Sequence, residues 1–267
     1  MTLPNFSPSD DPGPSFTTVL RRVGLDPFSA PEPAGPPPFE LRHGTTIVAI
    51  RYVDGVLMAG DRRATAGSSI AHRAMDKVHP ADRHSGVAIA GSAGMALEMV
   101  KLFQLQLEHY EKVEGSPLSL EGKANQLSQM VRSNLSMAMQ GFVVVPLFAG
   151  FDVRRNVGRI YTYDPTGGRY EETDFHADGS GGRDARTTIK LGWRADLDRA
   201  AAIELAVNSL WQAADEDSAT GGPDAVRGIY PTVALITADG YEPVGEAEVA
   251  ERFVSVIADL STGGSLR

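Results

Sequence analysis

The sequence has no cysteine. That excludes a disulfide scaffold, a thiolate nucleophile and a cysteine metal site. It fits a reducing cytoplasm, the location expected for this chain. Histidine is sparse, with six residues, none of them in HxxxH or HExxH spacing, so neither a metal nor another cofactor is expected. Positive charge is in deficit. Lys and Arg number 25 against 34 Asp and Glu, for a net charge of −9. Such a chain lacks the basic face that phosphate neutralisation needs, which argues against nucleic acid as a partner. Long apolar runs are also missing. "GFVVVPLFAGF" (141–151) is among the longest and is far too short to span a bilayer. What remains is 267 residues with 42% hydrophobic content, enough for one sizeable core or at most two small ones.

Proline is unevenly spread. Residues 1–44 hold ten of the seventeen, including "PEPAGPPPFE" (31–40), a composition that favours extended chain over a packed core. One island, "SFTTVLRRVGL", sets Phe16, Val19, Leu20 and Val23 on one helical face. The segment reads either as a flexible tail with a transient helix or as a pro-segment that docks and is later removed. It does not read as a secretory signal, because no basic start precedes an apolar run.

From Thr45 onward the pattern changes. "TTIVAIRYV" reads as a β-branched strand, Asp54-Gly55 as a hairpin turn and "VLMAG" as the return strand. "GVAIAG" (86–91) is a further buried strand. A helix is expected over 93–113, with Val100, Phe103, Leu107 and Tyr110 on one face. Another is expected over 120–139, with Ala124, Leu127, Val131, Leu135 and Ala138 aligned. Strands follow at 142–152 and 158–168, a helix at 196–214, a strand at 232–240 and a last helix at 246–260. The segments 178–185 and 215–224, rich in Gly and Asp, read as loops. Helices grouped in this way predict antiparallel sheets covered by helix layers, not a doubly wound parallel sheet.

The chemistry begins at Gly44-Thr45-Thr46. Within a chain, a threonine at a strand start is ordinary. At a new N-terminus, Thr45 would carry a free amine beside its hydroxyl. An amine with an ordinary pKa of about 7.7–8.0 is partly neutral near physiological pH and can take the hydroxyl proton. Base and nucleophile then lie on one residue. Glycine at 44 leaves the preceding carbonyl open to attack. Downstream stand Asp61 in "AGDRRAT", Lys77 in "AMDKVHP" and Gly91 at the end of "VAIAG". A lysine beside the amine favours its neutral form, an aspartate would hold that lysine, and a backbone N–H at Gly91 could face a developing oxyanion. Singly, Asp61 reads as a turn cap, Lys77 as a surface charge and Gly91 as a strand-to-helix turn. In this order, after a glycine-threonine junction, they read as a set.

The series "GTTIVAI…GDRRAT…K…GSAG" resembles the catalytic β subunits of the 20S proteasome. Over residues 42–262, with the proline-rich leader, the chain looks closest to the actinobacterial form. The resemblance implies an α+β, four-layer αββα N-terminal-nucleophile hydrolase sandwich with two antiparallel sheets. It makes residues 1–44 a propeptide, removed when Thr45 attacks the carbonyl of Gly44, and 45–267 a single domain. Carried over by position, Thr45 is nucleophile and amine base, Asp61 and Lys77 complete the catalytic set, and Gly91 gives the oxyanion N–H. Ser180, in "GSGG", and Asp217 orient the amine and proton relay. Thr220 stands where the family usually has serine. Thr65 matches the position whose backbone pairs with an extended substrate, while Ala64, Met75, Ile89, Ala93 and Leu97 match the specificity pocket and suggest cleavage after apolar residues. The implied reaction is threonine-type endopeptidase hydrolysis of unfolded polypeptides. The implied partners are α and other β subunits in stacked heptameric rings, an ATPase ring, and substrates tagged with a small protein. Rival readings are a hexameric bacterial threonine peptidase, a noncatalytic ring subunit and a small-molecule amidase of the same fold.

Overall fold

The computed structural model describes residues 44–262, together with Ser7 and Thr18, with side chains as far as residue 258. The helical stripe expected at 16–23 lies outside the described residues. Along the described chain come β1 (Thr46–Tyr52), β2 (Gly55–Gly60), β3 (Ala64–Ala66), β4 (Ser69–His72), β5 (Val78–Asp82) and β6 (Ser85–Gly91). Next are α1 (Ala93–Glu114), α2 (Leu120–Ser133), α3 (Leu135–Ala138), β7 (Val144–Asp152), β8 (Val157–Tyr163), β9 (Arg169–Glu172) and β10 (Phe175–Gly179). The chain continues through α4 (Gly182–Gly192), α5 (Arg199–Glu216), β11 (Thr232–Thr237), β12 (Gly240–Pro243) and α6 (Glu246–Thr262).

The strands form two five-stranded sheets, ordered β10-β1-β2-β11-β12 and β5-β6-β7-β8-β9, beside a small β3-β4 ribbon. The strand pairs are antiparallel. Side-chain alternation divides β1 between two cores. Ile47 and Ala49 point to the other sheet and pack with Met58, Ala88, Leu147 and Ile160. Val48 and Ile50 point the other way, onto Ile189 of α4, Ile203 and Leu210 of α5, and Val249 of α6. On the far side, Val100, Phe103 and Leu107 of α1 and Leu127 and Val131 of α2 cover Val87, Phe148 and Tyr161. The layers are therefore helix, sheet, sheet, helix, as expected. Both faces of the central strands are buried, so their apolar runs are nearly continuous.

The structure corrects several boundaries. The hairpin turn is Val53-Asp54, with Tyr52 paired to Gly55, one residue earlier than expected. The Val53 amide donates to Leu197 O at 3.0 Å, so a tertiary contact fixes that turn. The helix expected over 120–139 breaks at Asn134. There, Ser133 Oγ and Asn134 Nδ2 both donate to the carbonyl of Met130, competing with the helical ladder. The strand expected over 158–168 stops at Tyr163, because Asp164 accepts the amides of Thr166 and Gly168 and folds the chain into a turn. The helix expected from 196 starts at Arg199, capped by the Asp198 carboxylate on Ala201 N, and extends to Glu216. Residues 178–185 are not a loop throughout: they end β10 and open α4. Glycine there marks close approach. Gly179 has φ +95°, and a Cβ on it would lie 1.9 Å from the carbonyl oxygen of Thr45.

Phe148 gives a test of the helix-on-sheet layer. It is fully buried, edge-on to Phe103 at 5.8 Å and stacked with Tyr161 at 6.1 Å between ring centroids. Phe148→Ala is expected to destabilise the fold by about 3–5 kcal/mol. Urea unfolding followed by tryptophan fluorescence should show a lower midpoint at an unchanged slope; an unchanged midpoint would contradict this packing.

Candidate active site

The β1-β2 hairpin brings its two open ends together. Thr45 enters β1 and Asp61 leaves β2, and the Asp61 amide donates to Thr46 O at 3.0 Å. Lys77 enters β5 of the other sheet, and its carbonyl accepts the Ile89 amide at 3.0 Å. The sheets approach closely here: a Cβ on Gly60 would lie 3.4 Å from Lys77 Cβ. The site therefore sits at one end of the seam between the sheets.

Asp61 is fully buried and accepts four hydrogen bonds. Its Oδ1 takes Lys77 Nζ at 2.6 Å and the Thr46 amide at 2.7 Å. Its Oδ2 takes the amides of Arg63 at 2.9 Å and Gly221 at 2.8 Å. Lys77, 2% exposed, spends its three protons on Asp61, on Arg63 O at 2.6 Å and on Gly44 O at 3.3 Å. Burial holds the Lys77 pKa below its ordinary value, against the opposing charge and hydrogen bond of Asp61.

Thr45 Oγ1 donates to the carbonyl of Gly44 at 2.8 Å, the same oxygen that Lys77 approaches. No side chain fits at 44: a Cβ would lie 2.0 Å from Ala219 Cβ and 2.5 Å from its carbonyl oxygen. The Thr45 amide donates to Ser180 Oγ at 3.3 Å, and the Ser180 amide returns a bond to Thr45 O at 2.8 Å. Ser180 Oγ in turn donates to Asp217 Oδ2. Asp217 also accepts from Thr220 Oγ1 at 2.6 Å and from the Ala219 amide at 3.1 Å. Partial burial alone would raise the Asp217 pKa. The hydrogen bonds from Ser180, Thr220 and Ala219, with the nearby Lys77 charge, outweigh it and hold the carboxyl below its ordinary range.

Gly91 ends β6, just before Ser92, which precedes α1. The amides of Ser92 and Ile89 donate in opposite directions, to Val143 O on the β7 side and to Lys77 O on the β5 side. By strand alternation the Gly91 N–H points with that of Ile89, past the start of β5. Beyond it lies a cleft of about 380 Å³. Gly44, Thr45, Lys77 and Gly91 line it, with Ala64, Thr65, Met75, Ile89 and Ala93. Thr65 Oγ1 accepts the Gly44 amide at 3.3 Å. Leu97 is not among the lining residues; it packs against the core under α1. Phe142, Met95 and His72 also line the cleft, and sequence reasoning missed them. It also missed Thr46. Thr46 Oγ1 lies 2.6 Å from Thr220 Oγ1 and accepts the Gly181 amide at 3.1 Å. The doubled threonine of "GTT" was the available signal.

Among the described residues no cluster of histidine, aspartate and glutamate could hold a metal ion, and no helix is long and apolar enough to cross a membrane. The arrangement suits acyl chemistry at a single carbonyl: a hydroxyl and an ammonium converge on it beside an apolar cleft.

A family model described as proteasome subunit matches residues 41–227. The chain is similar to a proteasome subunit beta of Acidimicrobium ferrooxidans, 56% identical across 100% of this chain and 97% of that protein. It is 58% identical to one of Streptomyces griseus over 82% of this chain and 78% of the relative. It is 51% identical to a proteasome subunit beta 2 of Thermomonospora curvata over 91% and 88%. On a match that takes in both sheets up to β10 and on relatives aligned over most of their length, the chain belongs to the proteasome subunit family.

Proposed function

We propose that the chain is the precursor of a threonine endopeptidase, a catalytic β subunit of a 20S core particle, activated by cleavage of its own Gly44–Thr45 bond. One observation carries the reading: Thr45 Oγ1 and Lys77 Nζ, at 2.8 and 3.3 Å, meet on the carbonyl oxygen of that bond. Attack of Oγ1 on the Gly44 carbonyl carbon closes a five-membered ring. The C–N bond then breaks, the nitrogen takes the hydroxyl proton, and the leader is left as an ester on Oγ1. Water hydrolyses the ester, releasing the Gly44 carboxylate and restoring the hydroxyl beside a free amine. Lys77 faces the negative charge that develops on the carbonyl oxygen.

Peptide hydrolysis reuses the same atoms. The free amine accepts the Thr45 hydroxyl proton, Oγ1 attacks the scissile carbonyl, and the Gly91 N–H receives the oxyanion. The amine then gives its proton to the leaving nitrogen, and water removes the acyl group. Asp61 holds Lys77, while Ser180 and Asp217 hold the amine. An extended substrate pairs with backbone at Thr65 in β3. Ala64, Met75, Ile89 and Ala93 give the cleft an apolar wall, which supports cleavage after apolar residues. Residues 1–44 act as a propeptide and 45–267 as the working domain. The same reading places the chain in the cytoplasm. It sits there in heptameric β rings between α rings, fed by an ATPase ring with polypeptides that carry a small protein tag. Exposed Leu102, Leu105 and Val113 on α1 support assembly, as surface such a particle would cover.

Thr45→Ala, co-expressed with an α subunit, is expected to keep its leader and to lose cleavage of fluorogenic peptides. The wild type should begin at Thr45 by intact mass. Retained activity in the variant would sink the reading, and a leader kept by both chains in an assembled particle would favour a noncatalytic subunit. Ala93→Leu should narrow the cleft. It is expected to lower kcat/KM for a peptide with a bulky aromatic residue before the cut by about tenfold or more, relative to one with alanine there. An unchanged ratio would remove Ala93 from the pocket.

A further inference from the structure

The hydroxyl of Thr46 is buried and has no part in the steps above. Its neighbours assign it a direction. Thr220 Oγ1 has one proton, and the Asp217 carboxylate, held ionised, can only accept. That proton therefore goes to Asp217 Oδ2, 2.6 Å away. At its 2.6 Å contact with Thr46, Thr220 Oγ1 must then accept, so Thr46 donates. The lone pairs of Thr46 Oγ1 remain for the Gly181 amide at 3.1 Å. The result is one polarised chain, from the Gly181 amide through Thr46 and Thr220 to Asp217, which also receives Ser180. Each donor in such a chain strengthens the next. Thr46 reaches the other carboxylate as well, through its amide on Asp61 Oδ1 at 2.7 Å.

We propose that Thr46 is a positioning residue for the threonine hydrolase described above: its hydroxyl fixes Thr220, and through it Asp217 and Ser180, for proton transfer at the Thr45 nitrogen. The inference rests on that catalytic reading. Thr46 touches no reacting atom, so its effect falls on kcat and on the titration of Asp217. The charged groups around Asp217 are Lys77 at the start of β5, the Asp61 carboxylate joined through the Gly221 amide, Arg63, whose guanidinium donates to Ser218 O at 2.9 Å, and, after cleavage, the Thr45 amine reached through Ser180. None of them changes when Thr46 is replaced.

The test compares wild type, Thr46→Val, Thr46→Ala, Thr46→Ser, Thr220→Val and the Thr46→Val, Thr220→Val double variant in assembled particles, with rates normalised to chains whose mass shows a free Thr45. Thr46→Val is expected to lower kcat by about tenfold with KM nearly unchanged. Losing a donor weakens the Thr220–Asp217 bond and raises the Asp217 pKa, so the low-pH end of the acid limb, below the part set by the Thr45 amine, moves to higher pH. Thr46→Ser should restore both. A Thr46→Val, Thr220→Val double variant should be little worse than Thr220→Val alone, because both act through one chain. A Thr46→Val enzyme with wild-type kcat and acid limb overturns the proposal, as does a Thr46→Ser enzyme as impaired as the valine variant. Failure of both Thr46→Val and Thr46→Ala to assemble, with Thr46→Ser intact, also overturns it, because the hydroxyl would then be structural. Activity surviving in Thr45→Ala would instead remove the catalytic reading, so the two failures are distinguishable.

Discussion

The site depends on one buried ion pair. Asp61 and Lys77 meet at 2.6 Å, with side chains 0% and 3% exposed. Taking two such charges out of water costs several kcal/mol per ion, and their attraction offsets this only where the remaining hydrogen-bonding capacity is filled. Here Asp61 has four donors and Lys77 three acceptors. Those partners come from separate parts of the chain: the start of β1, the segment after β2, and Gly221 in the segment between α5 and β11. The pair is therefore also a tie between the sheets, since Asp61 belongs to one and Lys77 opens the edge strand of the other. A four-layer fold in which both sheets are covered by helices supplies the dry seam in which such a pair can be held.

That seam also orders the peptide bond before Thr45. The peptide carbonyl of Gly44 is held between the Thr45 hydroxyl and the Lys77 ammonium, and Ala219 fills the space where a side chain at 44 would go. Packing around residue 44 thus helps fix where that carbonyl lies. Reacting groups already in contact need little further ordering to react, which is the largest saving that intramolecular chemistry offers. On the proposed reading, the ammonium that faces the Gly44 carbonyl would stand beside the new amine after cleavage, so one buried lysine would serve both stages.

Much of this was legible in the sequence, for physical reasons that differ by element. The β-branched run at 46–52 read correctly because both of its faces are buried, leaving a near-continuous apolar run; the stripes of α1 and α5 read largely correctly from their helical period, although Tyr110, placed on the α1 stripe, is exposed. Asp61 and Lys77 were found because they flank strands of the same short region. Reading failed where a distant contact decides the local structure. Gly179 and Gly181 look like loop residues, yet they are glycines because the backbone and hydroxyl of Thr45 and Thr46, more than 130 residues away, occupy the space of a side chain. The break at Asn134 comes from side chains competing for one carbonyl, which apolar spacing does not register. Thr46 was missed for the same reason as Gly181: its partner Thr220 is 174 positions away. Leu97, matched to the pocket by position, packs partly against the core under α1 and is not among the residues lining the cleft of this single chain.

Thr220 departs from the family pattern but keeps a hydroxyl in the same place. The resemblance expects serine there. Threonine preserves the hydroxyl, and both of its contacts, to Asp217 and to Thr46, are 2.6 Å long. The added methyl is accommodated, since the residue is fully buried. A β-branched side chain is also stiffer about χ1 than serine. The Thr220 hydroxyl is held between two oxygens, those of Asp217 and Thr46. The exchange removes rotational freedom from the link that joins Thr46 to Asp217.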